Sequence, residues 1–276
     1  TVANPTAKAA VDMAVWDVIG QALGVSVTDL LGGFTDRMAT SHMVGFDEPA
    51  AMVAEAEEMR ERYGITTFKV KVGRRPIDAD VAVCRALREG LGPDAVLYVD
   101  GNRGWTPAEA ARALRQMDDL DLAFAEELCP ADDVIGRRWL VEHSPIPMFA
   151  DESVPGPAEV TREVLAGAAT GISIKTARTG YTRSHRILGQ AEGMGVDVVL
   201  GNQIDGQIGS LCALAFGAAF ERMSSRPGEL CNFLLMADDL LAEPLVITDG
   251  TLRVREAPGT GVVIDDEKLA RYRTDR

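Results

Sequence analysis

The sequence predicts an α/β fold of the (β/α) TIM-like barrel kind, and three observations predict it. First, five ionisable residues, Lys71, Asp100, Glu126, Asp151 and Lys175, each follow a short apolar run, at successive separations of 29, 26, 25 and 24 residues. A repeat of roughly 25 to 30 residues is the length of one strand–loop–helix–loop unit in such a barrel. Second, helix signals and short apolar strands alternate from about residue 38 onward, the pattern of a parallel sheet. Third, the chain has 276 residues, and one barrel typically needs ~250.

The elements follow in order. A leading helix covers about Ala7 to Leu23, with Gly32-Gly33 beyond its end. The first strand is expected at Met38–Gly45, with its helix at Pro49–Tyr63; the second at Thr66–Val72, with a helix from Pro76 to about Glu89. The third is Val96–Asp100, and Thr106-Pro107 opens the next helix, threonine as N-cap and proline at the first helical position. The fourth is Leu122–Glu126, with a helix near Asp132–Glu142; the fifth is Pro147–Asp151, with a helix near Pro157–Ala166. The sixth, Gly171–Lys175, precedes a helix at Arg183–Gly193, and the seventh, Asp197–Gly201, a helix at Gly206–Phe220. A last short strand near Glu229 leads into a meander over Leu245–Ile264, where Asp249-Gly250 is a hairpin turn signal. The segments are therefore 1–37, a leading helix and entry segment; 38–244, the barrel; and 245–276, a terminal meander and tail.

Composition narrows the partners. A net charge of −14 argues against nucleic acid and anionic membrane. No run reaches the ~18 apolar residues of a spanning helix, and no signal-peptide pattern opens the chain. Cys84, Cys129, Cys212 and Cys231 form no close pair, which suits a reducing, cytoplasmic setting.

The charged repeat carries the chemistry. Thr67–Gly73 reads TFKVKVG, so on a strand Lys69 and Lys71 share one side while Phe68, Val70 and Val72 share the other. One lysine alone would snorkel out of the barrel; a pair beside carboxylates reverses that reading. Asp100, Glu126 and Asp151 stand where barrel enzymes keep functional groups. Three oxygen donors with no histidine or cysteine among them suit Mg²⁺ or Mn²⁺. His42, His143 and His185 fall outside the repeat, and Glu127, Glu152 and Asp132-Asp133 read as supporting residues or caps. In a barrel of eight units the second and sixth strands lie opposite, so Lys71 and Lys175 are expected to flank a substrate, a geometry for proton transfer beside a carboxylate.

These residues sit in motifs. KVK at the second strand, DGN at the third, FAEE at the fourth, ADES at the fifth and SIKTARTG at the sixth resemble the muconate lactonizing enzyme subgroup of the enolase superfamily. The resemblance continues through GNQIDGQIGS, GELCNFLLMADDLLAEP and PGTGVVID, and is nearest to actinobacterial muconate cycloisomerases. It implies a (β/α)7β barrel and a capping domain that lies mostly before it, so that this chain begins after the cap. It implies Asp100, Glu126 and Asp151 as ligands of Mg²⁺ or Mn²⁺, Lys71 and Lys175 as the acid/base pair, and Lys69 as companion of Lys71. It places Glu229 near the sixth-strand lysine and Asn102 at the second polar position of DxN, with Gln203, Asp205 and Asp238 towards the substrate. The expected reaction is conversion of cis,cis-muconate, a small dicarboxylate, to muconolactone, by a homo-oligomer that the resemblance makes an octamer. Dipeptide epimerases, acylamino-acid racemases and succinylbenzoate synthases share the same lysines and acids. Outside the superfamily, a Schiff-base aldolase barrel on Lys175 and a non-catalytic scaffold are the alternatives.

Overall fold

The apolar runs form strands, with the expected charged residues at their ends or one position beyond. A computed structural model describes residues 3–274, so the outer limits of the 1–37 and 245–276 segments lie outside the described residues. In chain order the elements begin with α1 (Pro5–Leu23), α2 (Val27–Leu31), β1 (Arg37–Ala39), β2 (His42–Val44), α3 (Pro49–Tyr63), β3 (Thr67–Lys71) and α4 (Ile77–Leu91). They continue with β4 (Val96–Asp100), α5 (Pro107–Gln116), β5 (Leu122–Glu126), α6 (Val134–His143), β6 (Met148–Ala150), α7 (Pro157–Leu165) and β7 (Gly171–Ile174). The remainder is α8 (Thr176–Met194), β8 (Asp197–Leu200), α9 (Gln207–Ala219), α10 (Glu221–Ser224), β9 (Thr251–Arg253) and α11 (Asp266–Tyr272). Short 3₁₀ turns lie at Asp118–Leu120 and Asn232–Leu235.

The chain divides into two units. One comprises Ser41–Ile174 and His185–Val199. It is built on a seven-stranded sheet in the order β2-β3-β4-β5-β6-β7-β8, and the registered pairs from β2 to β7 are all parallel. β6 and β7 are buried at every position and β3 at all but its last. Burial on both faces explains the near-continuous apolar runs, since a parallel strand covered by helices has no wet side. α5 starts where Thr106-Pro107 predicts. The Thr106 side chain accepts from the Glu109 amide and the Glu109 carboxylate accepts from the Thr106 amide, so two otherwise orphaned donors are satisfied reciprocally.

The other unit comprises Thr1–Thr40, Lys175–Ser184 and Leu200–Arg276. α1 seats on the start of α8: Asp12 accepts from the Thr182 amide at 3.0 Å, and Trp16 Nε1 donates to Thr182 Oγ1 at 3.0 Å. This contact needs a residue without a side chain at 180, because a Cβ on Gly180 (φ 64°) would lie 2.5 Å from Asp12 Oδ2. Gly180 also breaks α8, which begins at Thr176 rather than at the expected Arg183.

Other differences have local causes. The run 38–45, expected as one strand, is two: β1 pairs antiparallel with β9, whereas β2 pairs parallel with β3. The change of partner falls at Thr40, whose amide donates to Gly250 O at 2.8 Å and whose hydroxyl donates to Gly228 O at 3.1 Å. No strand forms at Glu229; Thr40 and Gly228 make an isolated bridge, and the Glu229 amide donates to Leu200 O at 2.9 Å. Of the terminal meander only β9 is a strand, although Asp249 (φ 48°) and Gly250 (φ 68°) make the expected left-handed turn before it. The short helices α2, α10 and α11 carry too few residues for a periodic signal.

Candidate active site

In the unit built on the parallel sheet, register places the charges side by side. Lys71 is opposite Asp100, and Asp100 is opposite Glu126. Lys69 is 1% exposed, and its Nζ lies 2.9 Å from Asp100 Oδ2 and 3.1 Å from Glu126 Oε1. Lys71 is half-buried; its Nζ donates to Asp100 Oδ2 at 2.7 Å and to Asn102 Oδ1 at 2.6 Å. Both lysines thus meet one carboxylate oxygen, as the shared strand side predicts. Asp100, Glu126 and Asp151 are all fully buried. Burial pushes the Asp100 carboxyl up, but Lys69 and Lys71 outweigh it and hold the group well below the usual carboxylate range.

Two residues back on each strand lies an aromatic floor that the motif reading missed. Tyr98 stacks on Phe124 at 4.3 Å between centroids, and Phe124 on Phe149 at 4.2 Å. Side chains two apart share a strand face, so the rings at 98, 124 and 149 form the layer behind the acids at 100, 126 and 151. The Lys69 ammonium stands 5.9 Å from the Tyr98 ring centroid, and the Tyr98 hydroxyl is fixed by Ser41 Oγ at 3.0 Å. The signal was present as an aromatic at the same offset before each acid, LYVD, AFAE and MFAD. An apolar layer there keeps water from the charges and strengthens their mutual field.

The loops after the strands aim the polar groups. Asn102 (φ 39°) and Arg103 (φ 67°) are both left-handed, a turn that brings the Asn102 carboxamide back over Lys71. The turn packs against Gly73 so tightly that a Cβ on Gly73 would lie 2.6 Å from Gly101 O. Asn102 Nδ2 donates to Glu152 Oε1 at 2.9 Å, which brings Glu152 to the cluster as a second partner of DxN. Glu127 supports Asp151 from the side: its Oε2 accepts from the Asp151 amide at 2.6 Å. Asp133 caps α6, accepting from the Gly136 amide at 2.8 Å, as expected; Asp132 is exposed. His42 is committed to Glu55 at 2.7 Å.

The other unit holds its own group of candidate residues. Lys175, one residue past β7, is 8% exposed and Glu229 is 3% exposed. Asp205 interacts electrostatically with both: burial raises its carboxyl, Lys175 opposes that shift and Glu229 adds to it. Asn202 and Asn232, absent from the sequence reading, organise this group. Asn202 Oδ1 accepts from the Asp205 amide at 2.7 Å and from Asn232 Nδ2 at 2.9 Å, while the Asn202 amide donates to Glu229 Oε2 at 3.1 Å. Gln203 is exposed on the same loop.

Asp238 does not join this group. It holds the tail helix α11, accepting from Tyr272 Oη at 2.9 Å and pairing with Lys268 Nζ at 3.1 Å. In this structure the Asp238 carboxylate is engaged with α11. The Asp239 amide, Tyr272 and Lys268 bring the Asp238 carboxyl from 3.8 down to about 2. A carboxyl depressed in the folded state contributes most above its unfolded pKa, and the contribution fades as pH falls through the folded value. The contribution of this carboxylate to holding α11 is therefore expected to fade between about pH 4 and 2. Asp238→Asn should loosen α11 modestly at neutral pH, read as faster limited proteolysis at the C-terminus; equal cleavage of both proteins would refute the assignment.

Among the described residues, no three His, Cys, Asp or Glu side chains are gathered so as to enclose a metal ion; Lys69 lies between Asp100 and Glu126. No helix among them is long and apolar enough to cross a membrane.

Comparison with known proteins accounts for the layout. Residues 51–268 match the family described as enolase C-terminal domain-like, and residues 1–32 match the mandelate racemase/muconate lactonizing enzyme N-terminal domain. The L-Ala-D/L-Glu epimerase of Bacillus subtilis is 30% identical over 263 residues, covering 94% of this chain and 71% of that protein. Muconate cycloisomerase 1 of Pseudomonas putida is 30% identical over 271 residues, covering 98% and 72%. Among solved structures, muconate lactonizing enzyme from Mycobacterium smegmatis superposes with a TM-score of 0.98 at 65% identity, over 100% of this chain and 78% of that one. A structure of the same enzyme complexed with muconolactone gives the same score and identity over 75% of its chain. With its curled parallel sheet, its lysine–carboxylate cluster and these matches, the chain belongs to the mandelate racemase/muconate lactonizing enzyme family, and its fold is the enolase C-terminal (β/α) barrel.

Proposed function

We propose that the protein is a muconate cycloisomerase, an isomerase that closes cis,cis-muconate to muconolactone. The observation that carries this reading is the 65% identity, over the whole chain, to an enzyme seen with muconolactone bound. The epimerase relatives, at about half that identity, support the second reading, racemisation at the α-carbon of a dipeptide.

The proposed roles begin with Asp100, Glu126 and Asp151 as holders of a divalent ion, Mg²⁺ or Mn²⁺. The donor set fits: three buried carboxylates offer hard oxygens, the donors that such an ion prefers. When bound, the ion would supply positive charge where the enolate develops beside the substrate carboxylate. The second carboxylate of muconate adds to the double bond, and the electron pair displaced onto the α-carbon is quenched by a proton. Lys71 is assigned as that donor. Two of the three Nζ hydrogens are taken by Asp100 and Asn102, which orients the third. The donated proton and the carboxylate consumed in the lactone balance the step, so a dianion becomes a monoanion. Lys69 is assigned to the field around Lys71 and Asp100, and Lys175, with Glu229 and Asp205 beside it, to electrostatic stabilisation of the same intermediate. Gln203 on the β8 loop is assigned to substrate contact. The protein is expected to work in the cytoplasm as a homo-oligomer, an octamer on the family resemblance, which light scattering would test.

The discriminating assay offers the purified protein cis,cis-muconate and, separately, L-Ala-L-Glu, with Mn²⁺ present. Loss of the conjugated diene with muconolactone formed supports the proposal. Epimerisation of the dipeptide without turnover of muconate favours the second reading.

A further inference from the structure

Glu127 is the residue after a proposed ion ligand, and one oxygen of its carboxylate is committed to the turn at Asp151. It is 2% exposed and its backbone is left-handed (φ 35°), a conformation uncommon outside glycine. Its Oε2 accepts from the Asp151 amide at 2.6 Å, the Ser153 amide at 3.1 Å and the Ser153 hydroxyl at 2.8 Å. All three donors belong to one turn, the one that begins with Asp151. The Glu127 amide adds a bond to Phe149 O at 2.9 Å, so side chain and main chain of one residue hold both ends of the segment 149–153.

Behind Glu127 lies a ring of charge, buried at Arg137 and Glu163 and open to solvent at Arg162. Arg137 on α6 stands 3.8 Å from Glu127 Oε1, donates to Pro130 O at 2.7 Å and pairs with Glu163 on α7. Glu163 pairs with Arg162 at 2.9 Å, and Arg162 donates to Ser153 O at 3.2 Å, returning to the turn at Asp151. Apolar residues would fill this space with less desolvation cost. What charge adds is a set of short, directional bonds around a single turn.

Resting on the reading of Asp100, Glu126 and Asp151 as holders of a divalent ion, we infer that Glu127, backed by Arg137, is the positioning residue that aims the Asp151 carboxylate at that ion. Glu127 supplies no ligand atom itself. It acts on the third ligand through the backbone from which that ligand projects, and loss of such an outer partner typically weakens metal affinity by about 10- to 100-fold.

The test titrates Mn²⁺ alone into metal-free wild type, Glu127→Gln and Ser153→Ala by calorimetry, with thermal melts of each metal-free protein alongside. Glutamine keeps the volume but removes the charge that strengthens the three bonds to the turn. The expected result is a Kd for Mn²⁺ weaker by about 10- to 100-fold in Glu127→Gln, and by less in Ser153→Ala. A merely structural role would lower the melting temperature and leave the Kd of the folded protein alone. A wild-type Kd in folded Glu127→Gln overturns the inference. Should that variant not fold, Ser153→Ala decides: a weaker Kd supports the inference and an unchanged one overturns it. If wild type itself takes up no Mn²⁺, the reading of the three acids as ion ligands fails first, and the inference with it.

Discussion

Lys71→Ala is expected to abolish both turnover of cis,cis-muconate and exchange of an α-hydrogen of muconolactone in D₂O. Lys175→Ala is expected to slow both without eliminating either. The asymmetry follows from the proposed roles: a group that transfers the proton is required, whereas a cation that only stabilises charge lowers a barrier that remains passable. Removal of a general acid typically costs ~10²- to 10⁴-fold, and Lys71 also holds one side of Asp100 at 2.7 Å. An epimerase predicts another pattern, in which each lysine variant retains exchange with one enantiomer and loses it with the other. Exchange by mass spectrometry, run beside the turnover assay, separates the two. If exchange survives in Lys71→Ala and vanishes in Lys175→Ala, the roles are reversed.

Chelation is the second large effect. Treatment with EDTA is expected to stop turnover, and added Mn²⁺ or Mg²⁺ to restore it. Asp151→Asn should reproduce the loss permanently. It removes one charge and one strong oxygen donor from a fully buried position while keeping the shape of the side chain. Asp100→Asn is the harsher variant, because Lys69 at 2.9 Å and Lys71 at 2.7 Å both depend on that carboxylate. Its melting temperature should fall with its activity, since the variant weakens the partner of a buried cation. For Asp151→Asn the expected result is loss of Mn²⁺ affinity, read by calorimetry on protein whose circular dichroism shows it folded. Activity that persists in EDTA would sink the metal-assisted mechanism.

Much of the fold was legible because a parallel strand covered on both faces leaves a plain mark. Val96–Asp100 and Leu122–Glu126 are strands over the very residues expected. Thr106-Pro107 opens α5 as its capping chemistry predicts. The run 38–45 was misread because an apolar segment records that it is buried, not which partner it pairs with; Thr40 divides it between β9 and β3. Glu229 looked like a strand end, yet its neighbourhood is held by one bridge and by side-chain bonds to Asn202.

The site divides in the same way. Sequence by itself determined which residues carry the charge: the repeat of Lys71, Asp100, Glu126, Asp151 and Lys175, and the shared side of Lys69 and Lys71. Each of these follows from local rules, the length of a βα unit and the alternation of side chains along a strand. Only the tertiary structure decided what those charges touch. It gave Asp100 to both lysines, turned Asn102 back over Lys71, spent Asp238 on the tail helix and set Glu127 against the amides of Asp151 and Ser153. The physical reason is that a hydrogen bond depends on distance and direction to within a few tenths of an ångström. Residues far apart in the chain reach that precision only when strand register, left-handed turns and helix caps are all in place together.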